Sequence, residues 1–368
     1  MTGRLALLFG TRPQVIKASV LREALSAVGP VVAVDTGQHY DYHLHRVHYD
    51  QLGVQPADAY LGVGSGAHGS QTAEILTACE AWIKVHHPSG AVVIGDTNST
   101  LGCTLAAAKL RVPVAHVEAG LYADDRLMAE EINRRAVDAI SDVLFAPCDR
   151  IAERLRQRCP DGLIETVGDV AHDVLRRALS RTPRLEGIAG YEPKWGSKFI
   201  YVTLHRAELV DDADRLHAVM EGLEASALPC LFPVHPRTGL ALERLGYRSN
   251  GQVHLVTPVG YLESLALVRH AAAVVTDSGG LQREAYWLGI PCLTVRAETE
   301  WTETVQVGAN RLVAPEQAAR LPAAITEALV RGESGRSWDR GAYGDGHAAE
   351  RIAAVLAHRF QVGASSSA

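Results

Sequence analysis

The chain has 368 residues, which is more than one hydrophobic core usually organises, so we expect two domains. Hydrophobic residues make up 47% of the sequence and charged residues 21%, a composition typical of globular rather than disordered proteins. The formal net charge of −6 argues against a general nucleic-acid or membrane-surface binder. An anionic ligand would therefore need a local pocket of basic side chains and helix N-termini.

The cysteines and the N-terminus predict a cytoplasmic enzyme. No two of the six cysteines have C-x-x-C spacing, and all lie in apolar stretches, so we expect buried, reduced thiols. The apolar run Leu5–Phe9 is too short for a secretory signal or a membrane span.

Short apolar runs alternate with longer amphipathic patterns along the chain. In the first half the predicted strands are Arg4–Phe9, Val31–Asp35, Ala91–Ile94, Pro113–Val117 and Val143–Ala146. In the second half they are Phe199–Thr203, Cys230–Val234, Gln252–Val256, Ala273–Thr276 and Cys292–Val295. The helical patterns include Ile16–Val28, Ser70–Val85, Leu101–Leu110 and Leu281–Leu288. This alternation predicts an α/β fold with parallel sheets covered by helices on both faces.

The predicted domains comprise residues 1–180 and 181–345, followed by a helix over 346–362 that crosses back to the first domain and a disordered tail over 363–368. The division rests on two Pro- and Gly-rich stretches, Thr182–Gly187 and Tyr191–Gly196. Ligands of open parallel sheets bind beyond the carboxyl ends of the strands. We therefore expect a ligand cleft between the domains, which close about a hinge near 180–197.

The first predicted strand is followed by Gly10-Thr11-Arg12-Pro13, with Lys17 one turn into the next helix. Free amides and the helix dipole at such an N-terminus suit an anionic group. The alternative is an exposed Arg12 and a Lys17 whose stem covers apolar surface.

Three carboxylates follow later strands of the first half. Asp96 and Glu118 come after neighbouring strands, and Glu130 opens a helix twelve residues beyond Glu118. Carboxylates gathered at one sheet edge repel one another unless they bind a cation or transfer protons. No His or Cys joins them at metal-ligand spacing, so acid–base chemistry is favoured over a metal. For Asp96, capping of the following helix is the alternative.

The strongest motif of the second half is Thr276-Asp277-Ser278-Gly279-Gly280, where a predicted strand ends and a helix starts at once. Backbone amides and a hydroxyl in this arrangement suit a diphosphate, and Glu284, one turn into the helix, would reach ribose hydroxyls. A plain strand-to-helix turn would explain one glycine but not the whole motif. Two other loops place His205-Arg206 and His235 after strands of the same half.

Two other patterns are weaker. Gly64–Gly69 matches the G-x-G-x-x-G string of dinucleotide sites, but it follows no clear strand and lacks an acidic residue about 20 positions on. His39, His43, His45 and His48 crowd one segment without carboxylates at ligand spacing, so a polar helix face is favoured over a metal site. We expect neither a nicotinamide cofactor nor a metal.

Eight motifs occur together and in order, and as a set they resemble the UDP-N-acetylglucosamine 2-epimerases of the non-hydrolysing type. They are Gly10–Pro13, Thr36–His39, Gly95–Thr97, His116–Leu121, Glu130–Arg134, His205-Arg206, Thr276–Gly280 and Leu288–Pro291. Tyr343–Gly346 also resembles the closing signature of that family, so the match runs from Gly10 to about Ala348.

The resemblance implies a glycosyltransferase-B type fold, with two Rossmann-like domains facing a central cleft and UDP held mainly by the second. The residues that would hold the diphosphate and ribose are Ser278, Gly279, Gly280 and Glu284, with Arg12 and Lys17 closing from the first domain. The catalytic group would comprise Asp96, Glu118, Glu130 and His205, with Arg134 as a supporting cation. Further candidate contacts to the UDP-sugar are Gln38, His39, Arg206, His235 and Arg311. A homodimer without a cofactor is also expected.

The chemistry of the implied reaction supports the same residues. The C2 proton of an N-acetylhexosamine is not next to a carbonyl, so it is hardly acidic. Elimination of UDP from C1 with loss of that proton needs a base, a partner acid and cations, but no cofactor. We predict reversible epimerisation of UDP-N-acetylglucosamine to UDP-N-acetylmannosamine through 2-acetamidoglucal. The alternatives are a hydrolysing 2-epimerase that releases N-acetylmannosamine and UDP, a glycosyltransferase of the same fold, and a sugar-nucleotide sensor.

Three departures from the family pattern concern the predicted cleft. Tyr122-Ala123 replace the usual Arg-Ser or Arg-Thr, Trp301-Thr302 replace Arg-Pro, and Arg237-Thr238 replace Asn-Pro. Either the preferred substrate carries an altered hexose, or these residues contact only protein. The residues after His39 also differ from those of bacterial members that bind a second, allosteric UDP-sugar, which leaves such regulation open.

Overall fold

The computed structural model describes residues 3–38, 53–123, 126–333 and 338–360. The chain divides into two units, Met1–Arg177 together with Gly341–Ala368, and Ala178–Arg340. It passes between the units at 177–178 and 340–341, near the expected divisions after residues 180 and 345. The predicted tail over 363–368 lies outside the described residues.

The first unit is built on a parallel sheet whose strands lie in the order β3-β2-β1-β4-β5-β6-β7. The strands are β1 (Leu5–Phe9), β2 (Val31–Asp35), β3 (Ala59–Tyr60), β4 (Gly90–Ile94), β5 (Val114–Val117), β6 (Val143–Ala146) and β7 (Leu163–Thr166). The helices that accompany them are α1 (Arg12–Ser26), α2 (His68–His86), α3 (Asn98–Lys109), α4 (Ala129–Ile140), α5 (Asp149–Arg158) and α6 (Val170–Leu179). Every residue of β1, β4, β5 and β6 is buried, as expected for inner strands with helices on both faces.

The second unit repeats this plan with the strand order β10-β9-β8-β11-β12-β13, again parallel throughout. The strands are β8 (Ile200–Thr203), β9 (Cys230–Pro233), β10 (Val253–Val256), β11 (Ala273–Thr276), β12 (Cys292–Thr294) and β13 (Asn310–Leu312). The helices are α7 (Ala207–Val210), α8 (Ala213–Glu224), α9 (Pro236–Arg244), α10 (Tyr261–His270), α11 (Gly279–Leu288), α12 (Thr302–Gln306) and α13 (Leu321–Glu333). Short 3₁₀ turns lie at Leu185–Gly187, Pro193–Trp195 and Pro315–Arg320. The two sheets confirm the predicted α/β class with two Rossmann-like domains.

Each sheet has one point at which the strand order reverses. In the first unit it lies between β1 and β4, and in the second between β8 and β11. Helices that follow the two strands of such a pair lie on opposite faces, so the loops after the strands diverge and leave a crevice that binds ligands. Arg12 follows β1, Asp96 follows β4, His205 follows β8 and Ser278 follows β11.

The last described helix, α14 (Ala348–Arg359), belongs to the first unit and packs against α1. Its first turn is capped by Asp173, whose carboxylate accepts the backbone N–H groups of Ala348 (3.1 Å) and Ala349 (2.9 Å). The ring of Phe360 fills the space over Gly90, where a Cβ would lie 2.4 Å from a ring carbon. The chain therefore returns after the second unit to complete the first.

The structure differs from the sequence-based expectations in three places. The strands β3, β7 and β13 were not predicted, and each lies at an edge of its sheet. Because β3 precedes Gly64–Gly69, the expectation that no strand leads into this string is wrong. The expected hinge stretch is part of the second unit, where Leu185, Ile188 and Trp195 are buried in a core cluster.

In the described part of the chain, no helix combines the length and apolar character that crossing a bilayer requires.

We predict that Ile352→Ala lowers the free energy of unfolding by about 2–5 kcal/mol, because the fully buried side chain leaves a cavity in the first unit. Urea denaturation followed by circular dichroism measures the change. Val85→Ala, at a position of α2 in the same unit that is 72% exposed, is the matched control and should change the free energy by less than about 0.5 kcal/mol. Equal stability of the Ile352→Ala chain and the wild type would show that α14 is not integral to this core.

Candidate active site

In the first unit, the buried side chain of Gln14 on α1 joins the loops that follow β1 and β4. Its Oε1 accepts the backbone N–H groups of Gly10 (2.9 Å) and Thr11 (3.0 Å). Its Nε2 donates to the carbonyl of Ile94 (2.6 Å) and to Oγ1 of Thr100 (3.0 Å). Gln14 was not among the site residues predicted from the sequence. The signal for it was the Thr-x-x-Gln capping box at the start of α1.

Glu118 directly follows β5 and has a strained backbone. Its φ of +68° lies in the left-handed region, which residues other than glycine adopt infrequently and at a cost in free energy. Its Oε2 lies 2.6 Å from Nζ of Lys17, and the two side chains are only 8% and 17% exposed. The structure thus brings these two candidates together as a largely buried ion pair.

A buried His–Asp pair fixes the loop that contains Glu118. Nδ1 of His116 lies 2.6 Å from Oδ1 of Asp138, and Nε2 lies 2.7 Å from the carbonyl oxygen of Gly95. The second carboxylate oxygen of Asp138 accepts the N–H of Gly120 at 3.1 Å. This pair sets the spacing of the loops after β4 and β5. Sequence reasoning missed Asp138 because it lies far along the chain, on α4.

Asp96 contacts Arg134, which is only 11% exposed. Arg134 also donates to the fully buried Glu131 at 2.8 Å, which orients the guanidinium. Glu130 is exposed in the first turn of α4, and its spacing of four residues places it on the same helix face as Arg134. The capping alternative for Asp96 is wrong, because Thr97 is the N-cap of α3.

Two more candidates lie near these loops and one lies outside the described residues. Oε1 of Gln38 accepts the backbone N–H of Ser99 (2.9 Å) and its hydroxyl (2.6 Å), so Gln38 joins the end of β2 to the first turn of α3. Arg12 is exposed as the first residue of α1. His39, like the histidines that follow it up to residue 48, belongs to the part of the chain that is not described.

In the second unit, Ser278 is the N-cap of α11, and Gly279 and Gly280 form its first turn. The hydroxyl of Ser278 accepts the N–H of Leu281 at 3.4 Å. The first N–H groups of a helix have no acceptor within the helix and, with the helix dipole, suit an anion. This arrangement fits a diphosphate.

Asp277, just before that N-cap, contacts the neighbouring loop after β8. Its Oδ2 accepts the backbone N–H groups of His205 (2.7 Å) and Arg206 (2.8 Å), while Oδ1 lies 3.1 Å from Nδ1 of His205. The ring of His235 lies 5.9 Å from that of His205, and its Nδ1 accepts the N–H of Arg237 at 3.2 Å. Burial, with the charges of His205 and Arg237, lowers the pKa of His235.

Tyr122 and Trp301, at two departures from the family pattern, are both 6% exposed and packed against arginines of their own unit. The guanidinium carbons of Arg135, Arg154 and Arg158 lie 4.9–5.0 Å from the centre of the Tyr122 ring. Arg283 lies 3.9 Å from the ring centre of Trp301. These contacts favour the alternative in which the two aromatic residues pack within the protein.

Comparison with known proteins is consistent with this geometry. The family model described as UDP-N-acetylglucosamine 2-epimerase matches residues 26–357. The chain belongs to the UDP-N-acetylglucosamine 2-epimerase family.

Named members of this epimerase family match nearly the whole chain. The chain is 39% identical to the UDP-2,3-diacetamido-2,3-dideoxy-D-glucuronate 2-epimerase of Pseudomonas aeruginosa, with 96% of this chain and 99% of that protein covered. It is 36% identical to the UDP-N-acetylglucosamine 2-epimerase of Methanocaldococcus jannaschii over 368 residues, which covers 96% and 99% of the two chains. The solved structure of that protein with UDP-GlcNAc and UDP matches with a TM-score of 0.82, 36% identity, and 96% and 99% coverage. The predicted glycosyltransferase-B type fold is thereby confirmed.

Within this epimerase-family chain, two proposed nucleotide contacts differ in their placement. Glu284 lies on α11 beside the hydroxyl of Tyr261; burial raises the pKa of its carboxyl to about 7, although Tyr261 and Arg283 oppose the shift. Arg311 instead lies in the middle of the edge strand β13, where it pairs with Glu327 of α13. The structure does not bring Arg311 together with the residues at the start of α11.

We predict that Glu284→Gln makes stability less dependent on pH between about pH 4 and about pH 7. An unfolded Glu titrates near about 4.3, whereas the folded-state pKa of Glu284 is raised to about 7. The wild type therefore loses stability as pH rises through this window, because the folded chain must ionise a buried carboxyl. Melting temperatures across the window measure this loss, with Glu243→Gln on the exposed face of α9 as the matched control. If Glu284→Gln follows the wild-type curve, the carboxyl is not the titrating group.

Proposed function

We propose that the chain catalyses the reversible epimerisation of UDP-N-acetylglucosamine to UDP-N-acetylmannosamine. Its membership of the epimerase family supports the reaction class. The observation that carries the proposal is the pairing of Asp96 with Arg134 and of Glu118 with Lys17 at one sheet edge. Acid–base groups of this kind are what removal of a weakly acidic sugar proton requires.

The proposed reaction proceeds by elimination and re-addition. A carboxylate of the group Asp96, Glu118 and Glu130 takes the C2 proton, the C2–H electron pair forms the C1–C2 double bond, and the C1–O pair leaves with UDP. UDP then adds back to C1 of 2-acetamidoglucal while a protonated group returns a proton to the opposite face of C2. Two faces require two acid–base groups, and these carboxylates with His205 supply more than one.

The leaving diphosphate needs positive charge and hydrogen-bond donors. The start of α11, with Ser278, Gly279 and Gly280, offers backbone N–H groups and the positive end of a helix dipole. Arg12, exposed at the start of α1, offers a guanidinium for the same purpose. Stabilising charge that develops in the transition state is commonly the largest contribution to such a reaction. The start of α11 is therefore the proposed diphosphate site.

A second candidate substrate is UDP-2,3-diacetamido-2,3-dideoxy-D-glucuronate. The Pseudomonas aeruginosa relative, 39% identical over nearly the whole chain, carries the name of that 2-epimerase. The 2-acetamido group and the C1 diphosphate are common to both sugars, so the same elimination would serve either. Comparison of kcat/KM for the two UDP-sugars decides between them. A much higher value for the glucuronate would make it, rather than UDP-N-acetylglucosamine, the proposed substrate.

The proposed reaction is tested by proton NMR of UDP-N-acetylglucosamine with the enzyme in D2O. The mixture contains EDTA and no nicotinamide, because elimination and re-addition are redox-neutral. We expect deuterium at C2 and the appearance of UDP-N-acetylmannosamine. Free UDP with free N-acetylmannosamine would indicate the hydrolysing reaction. An unchanged substrate, without deuterium, would contradict the proposal and leave a transferase or a sensor.

We also propose that the enzyme acts as a cytoplasmic homodimer, an assembly expected from the family resemblance. Light scattering after size-exclusion chromatography measures the mass in solution. A mass equal to one chain of 39.5 kDa would contradict the dimer.

We predict that Asp96→Asn, Glu118→Gln and Glu130→Gln each lower kcat by about 10²-fold or more, the effect of a lost acid or base. Calorimetric titration should show that UDP binding survives, because the proposed diphosphate site is at the start of α11. Glu74→Gln, at an exposed position of α2, is the matched control and should keep the wild-type rate. A folded variant that turns over normally would mean that its carboxylate serves only as an ion-pair partner.

A further inference from the structure

The buried side chain of Asp277 binds the backbone N–H groups of the loop that carries His205. Asp277 is 1% exposed and lies 72 residues along the chain from His205, across the strand-order reversal of the second sheet. Its Oδ2 accepts two backbone N–H groups of the loop, at 2.7 and 2.8 Å. Its Oδ1 forms no aligned hydrogen bond within the described part of the chain, and Nδ1 of His205 lies 3.1 Å away. The ring nitrogen is therefore the donor within reach of this oxygen.

This geometry determines which ring nitrogen of His205 carries the proton. A carboxylate only accepts hydrogen bonds, so Nδ1 of a neutral imidazole beside it is the protonated nitrogen. Nε2 then keeps its lone pair. The His205 side chain is 42% exposed, so the ring is accessible from outside the unit.

The neighbouring His235 has the opposite arrangement. Its Nδ1 accepts the backbone N–H of Arg237 at 3.2 Å, so this nitrogen holds the lone pair and the proton is on Nε2. The lowered pKa of His235, due to burial and then to the charges of His205 and Arg237, also favours its neutral form. The two rings, 5.9 Å apart, thus offer one nitrogen acceptor and one N–H donor.

We propose that Asp277 is a positioning residue for His205, which fixes the proton on Nδ1 and keeps Nε2 as the proton acceptor. The role of Nε2 in turnover rests on the proposed function, whereas the tautomer itself follows from the contacts of Asp277. The Ser278-Gly279-Gly280 turn comes directly after Asp277, so one short segment provides both the diphosphate site and the orientation of the histidine.

The deciding substitution is Asp277→Asn. The amide oxygen of Asn can accept the two backbone N–H groups of His205 and Arg206, which places the amide NH2 against Nδ1 of His205. The reverse orientation would face the NH2 toward two N–H donors and is disfavoured. The amide NH2 and an Nδ1–H group are both donors and cannot face each other. The His205 proton therefore moves to Nε2, which is then no longer a proton acceptor.

The experiment records the side-chain nitrogens of histidine in the full chain by ¹⁵N NMR, with His205 assigned by comparison with His205→Gln. When the His205 ring is neutral, we expect its proton on Nδ1 in the wild type and on Nε2 in Asp277→Asn. Turnover of UDP-N-acetylglucosamine by Asp277→Asn should fall about 10²-fold or more, with UDP affinity unchanged.

Asp212→Asn is the matched control, because Asp212 also accepts a backbone N–H, that of Arg215 at 3.1 Å at the start of α8. It should change neither the tautomer of His205 nor the turnover.

Three results would overturn the proposal: a proton on Nε2 in the wild type, an unchanged tautomer in Asp277→Asn, or wild-type turnover by that variant. The first result does not depend on Asp277→Asn, so it applies even if that variant fails to fold. A folded His205→Gln chain with wild-type turnover would instead remove His205 from the proposed function, while the tautomer measurement would still test Asp277.

Discussion

Where the strand order of a parallel sheet reverses, the chain leaves two adjacent strands toward opposite faces of the sheet. The backbone N–H and C=O groups at that point then lack hydrogen-bond partners within the sheet. In the first unit the side-chain amide of Gln14 supplies such partners, because it accepts a backbone N–H of the loop after β1 and donates to the last carbonyl of β4. In the second unit the carboxylate of Asp277 does so between the loops after β8 and β11. Both side chains are almost completely buried, so losing either would leave several polar groups without partners. The loops that carry Arg12, His205 and Ser278 are held in place by these two side chains.

The acidic residues of the first unit are stabilised by cations that the fold places beside them. Arg134 contacts Asp96, and Lys17 contacts Glu118, so the repulsion expected for neighbouring carboxylates is offset before any ligand binds. The left-handed backbone of Glu118 opposes folding, and the His116–Asp138 pair helps to hold that loop in place. The strained backbone of Glu118 lowers local stability, but the contacts around it fix the position of its carboxylate.

The sequence predicted the inner strands well because each is an apolar run buried on both faces. It missed β3, β7 and β13 because edge strands are short and partly exposed, as the sequence Leu-Ile-Glu-Thr of β7 illustrates. Loop motifs located Asp96, Glu118 and Ser278, since local patterns mark strand ends. Gln14, Asp138 and Asp277 each bind a distant segment of the chain, as Gln14 binds Ile94, 80 residues away, and no local pattern reveals which distant groups they bind. For Arg311 the sequence predicted a contact to the UDP-sugar, whereas in the structure its side chain pairs with Glu327.

The return of α14 to the first unit determines the order in which the two units are completed during synthesis. The ribosome produces β1 to β7 first, then all of Ala178–Arg340, and only afterwards the helix that covers α1. Until Phe360 has been synthesised, its ring cannot pack over the apolar surface beside Gly90 and Leu5. By then the second unit already contains every strand of its sheet. Domains generally fold as units while the chain emerges. The unit that begins first is therefore finished last, and part of its apolar surface stays uncovered until α14 has been synthesised.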